Sequence, residues 1–312
     1  MNKKIEILVI GAGAVGAYFG GRLAQAGASV SVVCRSDYDA VAGNGYQIKS
    51  IAGDFIFKPA QVCRDAADYQ GKPDYILVTV KALPWIDVPA MIKPVIHPDA
   101  TVFLLQNGVE IEPPLVETIP DIDLVSGIAY IGVTRRGDGI VEHEGGGTLA
   151  VGMYPPERPV SDKLKKLDEL FAAVKVGCKV SPDIRSTRWC KLVWNAPFNP
   201  ISVLGGGIDT RQIMDDPKLV ELSERVMREV AAAGNACGAR VPDKHIDDML
   251  EYTRNFPPYK TSMLVDFENG RPLEVEVILG NAVRTAEAHG VDVPSLKSLY
   301  ALLGSVNNNM EK

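Results

Sequence analysis

A lysine and two asparagines recur every four residues, Lys191, Asn195 and Asn199, inside the apolar stretch KLVWNAPFNP. On a helix, positions i, i+4 and i+8 drift by only ~80° in all, so the three side chains form one stripe open to one ligand. Blander duties exist for each: a lysine can run its stem along apolar surface, and an asparagine can satisfy a nearby backbone group. Three in register beside Trp189, Trp194 and Phe198 argue against a plain surface face, because the other faces are apolar as well. The chemistry such a stripe offers is proton delivery. A lysine can meet negative charge growing on a reacting oxygen, and carboxamides can hold a hydroxyl or carboxylate without adding charge. Apolar neighbours lower the lysine's pKa and a carboxylate nearby raises it again. Pro197 and Pro200 each remove an amide donor, freeing the carbonyls of Val193 and Ala196, so a kink is expected and Asn199 is less firmly placed than Asn195.

A second constellation lies at the start. Gly11-Ala12-Gly13-Ala14-Val15-Gly16 has the G-x-G-x-x-G form directly after a strand-like run and opens a helix-like one. The first glycine permits the tight turn, the second lets backbone approach a pyrophosphate, and the third lets helix and strand pack closely. A strand, a helix and a second strand within about 30 residues make this a dinucleotide site rather than a stray glycine run. After the second strand stands Cys34-Arg35-Ser36, where NAD sites usually carry an acid. Arg35 can pair with a 2′-phosphate, which points to NADPH/NADP, and Asp37 just beyond keeps NAD open. Lys81 and Asn107 follow two more strand-like runs, DYILVTV and TVFLL, at the carboxyl ends where α/β sheets bind ligands. Farther on, Ser262 opens one expected helix and Glu274 another. Glu274 and Glu276 also suit the first turn of a helix on dipole grounds alone.

These groups need a scaffold of two kinds. The first 110 residues alternate strand-like and helix-like runs: 5–10, 15–26, 29–34, 74–80 and 101–105. The near-continuously apolar strands are those of a parallel sheet covered on both faces. From about 123 to 152 shorter antiparallel strands are expected, with turns at Arg136-Gly137-Asp138-Gly139 and Gly145-Gly146-Gly147. A helix at 162–174 and a short strand at 176–180 follow. Helical signals then dominate at 184–204, 217–237, 243–253 and 273–289. The fold class expected is α/β, an N-terminal Rossmann-like doubly wound sheet (1–182) with a second, all-helical C-terminal domain (183–312). Asn307, Asn308 and Asn309 suggest a frayed end.

Composition bounds the partners. In 312 residues, 33 Lys and Arg against 39 Asp and Glu give a net charge of -6, which disfavours nucleic-acid or anionic-membrane partners. Five widely spaced cysteines suggest neither a disulfide framework nor a metal site, and a reducing cytoplasm is the simplest location. Glu6 and five glycines between Gly11 and Gly21 suit a strand and turn better than a secretory signal. No apolar run reaches the ~18 residues of a membrane helix. Any anionic ligand must be held by a few placed cations, and a homodimer stays open.

In combination and order, GAGAVGAYFGGRLAQAG, VKA at 80–82, QNG at 106–108, K-x-x-x-N-x-x-x-N at 191–199, SML at 262–264 and NGRP-x-E at 269–274 resemble the ketopantoate reductase (2-dehydropantoate 2-reductase) family over nearly the whole chain. The resemblance implies a Rossmann domain and an all-helical domain with NADPH and substrate in the cleft between them, and reduction of 2-dehydropantoate to (R)-pantoate on the route to pantothenate and coenzyme A. It implies Lys191 as general acid and Glu274 as a carboxylate that binds substrate and orients the lysine beside the cofactor. Asn195, Asn199 and Ser262 would contact substrate, with Lys81 and Asn107 by the cofactor and reacting carbonyl. Leu273 where threonine is common, and Leu279-Gly280-Asn281 in place of Asn-Gly, depart from the family pattern. Alternatives are a reductase of another 2-oxo acid, a β-hydroxyacid dehydrogenase, or a non-catalytic NADP(H)-binding sensor.

Overall fold

A computed structural model describes residues 4–310. The chain divides into two compact units. The first takes residues 1–81, 86–106 and 111–184, and the second takes 82–85, 107–110 and 185–312.

The first unit is a ten-stranded mixed sheet. Its strands are β1 (Glu6–Ile10), β2 (Ser29–Val33), β3 (Tyr46–Ser50), β4 (Phe55–Phe57), β5 (Val62–Cys63), β6 (Tyr75–Val78), β7 (Thr101–Leu104), β8 (Asp123–Gly137), β9 (Ile140–Tyr154) and β10 (Cys178–Val180). The order is β4-β3-β9-β8-β7-β6-β1-β2-β5, with β10 beside β9, and neighbours from β5 through β8 run parallel. Helices α1 (Ala14–Gln25), α2 (Tyr38–Asn44), α3 (Val88–Ile92), α4 (Pro113–Thr118) and α5 (Asp162–Ala173) accompany it. Strand alternation sorts the core into two layers. Ile7 and Val9 pack with Phe19, Leu23 and Phe171 on one face, and Leu8 and Ile10 pack with Ile92 and Leu115 on the other. Both faces are thus dry, which is why β1, β6 and β7 carry almost no polar residue.

The segment after residue 123 differs from expectation. Instead of several short strands, β8 and β9 form one hairpin of two 15-residue strands turning at Asp138 and Gly139. Gly145-Gly146-Gly147 is not a turn but lies within β9, where pairing shifts register opposite Tyr130, Ile131 and Gly132. Gly146 and Gly147 take φ of +68° and +108°, left-handed values that glycine adopts without a Cβ clash. Glycine here serves a bulge, which the turn reading could not distinguish from a reversal.

The second unit is helical: α6 (Ile184–Leu204), α7 (Thr210–Asp215), α8 (Pro217–Ala236), α9 (Asp243–Asn255), α10 (Ser262–Glu268), a π-helical turn at Glu276–Gly280, α11 (Asn281–Ala288) and α12 (Pro294–Met310). Side-chain oxygens begin several of them: Asp209 caps α7, Asp216 caps α8 and Thr261 caps α10. Trp189 of α6 is wholly buried against α8, where a Cβ on Gly234 would lie 2.9 Å from its indole, so only glycine lets the two helices approach. The expected frayed end is corrected. Asn307 to Asn309 lie inside α12, held by buried Leu296, Leu299 and Leu303, and the Asn307 Oδ1 accepts the Leu273 amide at 2.8 Å. Among the described residues, no helix is long and apolar enough to cross a membrane.

Candidate active site

The phosphate turn of the first unit sits between β1 and α1. Gly11 has φ +85°, and a Cβ there would lie 2.7 Å from the Val80 amide nitrogen. At Gly16 a Cβ would lie 2.3 Å from Thr79 Oγ1, so side chains are excluded at both ends of the turn. Gly13 differs: the nearest atom to an added Cβ is the Gly11 carbonyl oxygen at 3.9 Å, so this position faces open space. That is the cradle a pyrophosphate requires, because only a bare backbone admits it. Two hydroxyls turn the loop's carbonyls away. Thr79 Oγ1 donates to Gly11 O at 2.8 Å, and Tyr46 OH donates to Ala12 O at 2.7 Å. Burial raises the Tyr46 phenol, which keeps it a donor. With the carbonyls tied back, the first-turn amides of Ala14, Val15 and Gly16 have no acceptor within their own helix and present the positive end of its dipole.

Arg35 is exposed just after β2. The neighbouring Asp37, which kept NAD open, is buried, and its Oδ1 accepts from Arg135 NH1 at 2.5 Å. Arg135 also donates to Ser36 Oγ at 3.0 Å, so a second guanidinium accompanies this loop. Lys81 follows β6 by three residues and is half-buried.

In the second unit, α6 carries Lys191, Asn195 and Asn199 along 21 unbroken residues. The helix runs on through Pro197 and Pro200, both buried, and keeps the three-residue stripe on one element. Lys191 Nζ donates to Asn107 Oδ1 at 2.8 Å. Burial lowers the Lys191 pKa to about 8, helped by the positive charge of Arg188 and opposed by the carboxylate of Glu274. Glu274, just before the helical turn at Val275, accepts the Ala82 amide on Oε1 at 2.9 Å. Asn195 and Asn199 are 7% and 4% exposed. Among the described residues neither carboxamide has a hydrogen-bond partner, nor does either count among fully enclosed polar atoms that lack one. Their tips therefore reach open space, where a ligand can supply the missing bonds. Ser262 is exposed at the first position of α10; its neighbour Thr261 is the buried one, sharing a 2.7 Å hydrogen bond with Ser202 of α6.

The second unit thus gathers Lys191, Asn107 and Glu274, residues far apart in sequence. Arg188 was missed by the sequence reading, although its spacing of three from Lys191 on one helix was a usable signal. Asn281 was noted only as a departure from the family pattern. It donates to the carbonyls of Val109 at 2.8 Å and Glu110 at 3.4 Å, so it belongs to the loop that carries Asn107.

Comparison with known proteins gives the family. The model of the ketopantoate reductase PanE/ApbA family matches residues 7–156, and that of its C-terminal domain matches residues 183–307. The chain belongs to the ketopantoate reductase family. A 2-dehydropantoate 2-reductase of Nostoc sp. is 32% identical over 303 residues, covering 96% of this chain and 94% of that one. Among solved structures, the 2-dehydropantoate 2-reductase of Methylococcus capsulatus is 41% identical with a TM-score of 0.91, covering 98% of both chains. That of Geobacter metallireducens is 31% identical with a TM-score of 0.88, covering 96% of this chain and 99% of the other. Members of the ketopantoate reductase family are oxidoreductases, and this chain shares their two-part architecture along its whole described length.

Proposed function

We propose that the protein reduces 2-dehydropantoate to (R)-pantoate with NADPH, a step toward pantothenate and coenzyme A. The observation that carries the proposal is the Lys191 amine. Its pKa is lowered to about 8, and Asn107 holds it on the helix face that carries two buried asparagines whose carboxamides have no partner among the described residues. A nicotinamide dinucleotide, when bound, supplies the hydride. Gly11, Ala12, Gly13, Ala14, Val15 and Gly16 would hold its pyrophosphate, with Lys81 toward its ribose and Asn107 toward its nicotinamide. Arg35 would pair with the 2′-phosphate, and the engagement of Asp37 by Arg135 supports NADP over NAD, since that carboxylate already has its cation.

Lys191 donates the proton to the substrate's keto oxygen as negative charge grows there. An ammonium titrating near physiological pH is a better donor than an ordinary lysine, because its proton leaves more readily. Asn195 and Asn199 bind the hydroxyl and carboxylate of the acid, Ser262 contributes a hydroxyl from α10, and Glu274 orients the lysine and binds substrate and cofactor. The carboxamides are neutral, so they bind the acid without adding a charge of their own beside the lysine.

The test is NADPH oxidation followed by absorbance with a panel of 2-oxo and 3-oxo acids. Turnover should be greatest with 2-dehydropantoate, and Glu274→Ala should lose most of it. Preference for a 3-oxo acid would assign a β-hydroxyacid dehydrogenase. Tight NADPH binding with no turnover of any oxo acid would assign a sensor.

A further inference from the structure

The proton donor is only as well placed as the residue that receives its hydrogen bond, and Asn107 sits on a loop of unusual construction. Gly108 has φ +94°, and a Cβ there would meet Val277 Cβ and its carbonyl oxygen at 2.5 Å, so the loop lies directly against the π-helical turn. Val109 donates its amide to Val277 O at 3.2 Å. Glu110 takes φ 53°, an uncommon value for a residue with a side chain, and Asn281 holds its carbonyl together with that of Val109. A π-helical turn alters which carbonyls its own ladder uses, which leaves Val277 O available to an outside amide. The loop is thus fastened from the π turn and from α11.

A third fastening comes from the helix that bears the lysine. Arg188 lies one turn before Lys191 on α6, is 4% exposed, and donates from NH1 to Gly108 O at 3.1 Å. One side chain of α6 therefore grips the loop at residue 108 while another, Lys191, bonds it at residue 107. Accepting Lys191 as the proton donor, we propose that Arg188 is a positioning residue for it. Arg188 fixes the 107–110 loop so that Asn107 meets the amine, and it keeps a second positive charge beside that amine. The charged groups acting on Lys191 are Arg188 from its own helix and Glu274 from the segment before the π turn, with opposite effects. An arginine suits the task because its rigid fork can bond a carbonyl while staying charged at every working pH.

Two readouts on the full-length protein separate the parts of this role. Labelling of Lys191 by limiting acetic anhydride across pH, quantified by mass spectrometry, reads the amine without any turnover. The wild-type midpoint should lie near 8. In Arg188→Gln it should rise by ~1 unit, because removing a like charge favours the ammonium form. Turnover of 2-dehydropantoate in the same variant should fall roughly tenfold or more in kcat, as the acceptor loop loosens. Arg188→Lys keeps the charge without the fork, so its midpoint should stay low while kcat still falls. Asn281→Ala, which loosens the loop from the other side, should lower kcat without raising the midpoint, and it carries the mechanical half of the test should Arg188→Gln not fold. A folded Arg188→Gln with wild-type midpoint and kcat overturns the inference. A midpoint that moves as expected in a protein that reduces no oxo acid instead overturns the functional reading and leaves the role of Arg188 toward Lys191 standing.

Discussion

The phosphate turn and the lysine site solve different problems. The turn is one run of six residues whose shape follows from three missing side chains, with Thr79 and Tyr46 tying its carbonyls back. The lysine site is gathered from residues 82, 107–110, 188–199, 274 and 281, and only its stripe on α6 is written into neighbouring sequence. A binding surface made of backbone can be encoded locally, because glycine decides where backbone is allowed to go. A proton donor needs a tuned environment, and that environment must come from groups brought together by the fold.

The sharpest way to break this contrast is to fill the turn. Gly16→Val would force a side chain onto Thr79 Oγ1. NADPH binding by fluorescence titration should weaken about a hundredfold, as a displaced turn misplaces the pyrophosphate. The anhydride midpoint of Lys191 should not change, because that environment belongs to the second unit; a shift in both would mean that the two regions are not independent. Arg35→Asp should cost roughly ten- to a hundredfold in NADPH over NADH preference, the worth of a charged hydrogen bond replaced by repulsion. An unaltered ratio of kcat/KM values would move the 2′-phosphate role to another cation, with Arg135 the next to examine.

The pH dependence addresses the second region alone. Lys191 is a base whose folded pKa is lowered to about 8, and as the proposed acid it would donate only when protonated. kcat/KM should therefore be level below that value and fall about tenfold per unit above it. A profile level to pH 10 would remove Lys191 as the acid. The smallest effect expected is Tyr46→Phe, which deletes one buried hydrogen bond to Ala12 O and should weaken NADPH by several-fold, about 1 kcal/mol.

How much was legible follows the same division. The turn, β1, α1 and β2 could be read within a residue or so, because apolar runs and glycines are local signals. The stripe on α6 was visible as spacing, and α6 continues through the prolines within it, among buried Leu192, Val193, Phe198 and Ile201. The strands β3, β4 and β5 went unread, since Gln47, Lys49 and Ser50 leave the first no continuous apolar run and the other two span only three and two residues. α12 could have been found from Leu296, Leu299 and Leu303, spaced for one buried face, had the asparagines after them not suggested fraying. Asn307 holding Leu273, and Asn281 holding residues 109 and 110, depend on partners 34 and more than 170 residues away. No single sequence displays such pairings.

The account stands on Lys191 delivering the proton from a site that does not itself bind the dinucleotide's phosphates. The most direct test is single-turnover oxidation of bound NADPH by 2-dehydropantoate in wild type and in Lys191→Ala, alongside NADPH titration of both. The account predicts a rate about 10²- to 10⁴-fold lower in the variant with NADPH affinity unchanged. A variant that oxidises NADPH at the wild-type rate, or one whose loss is entirely a loss of NADPH affinity, would contradict it.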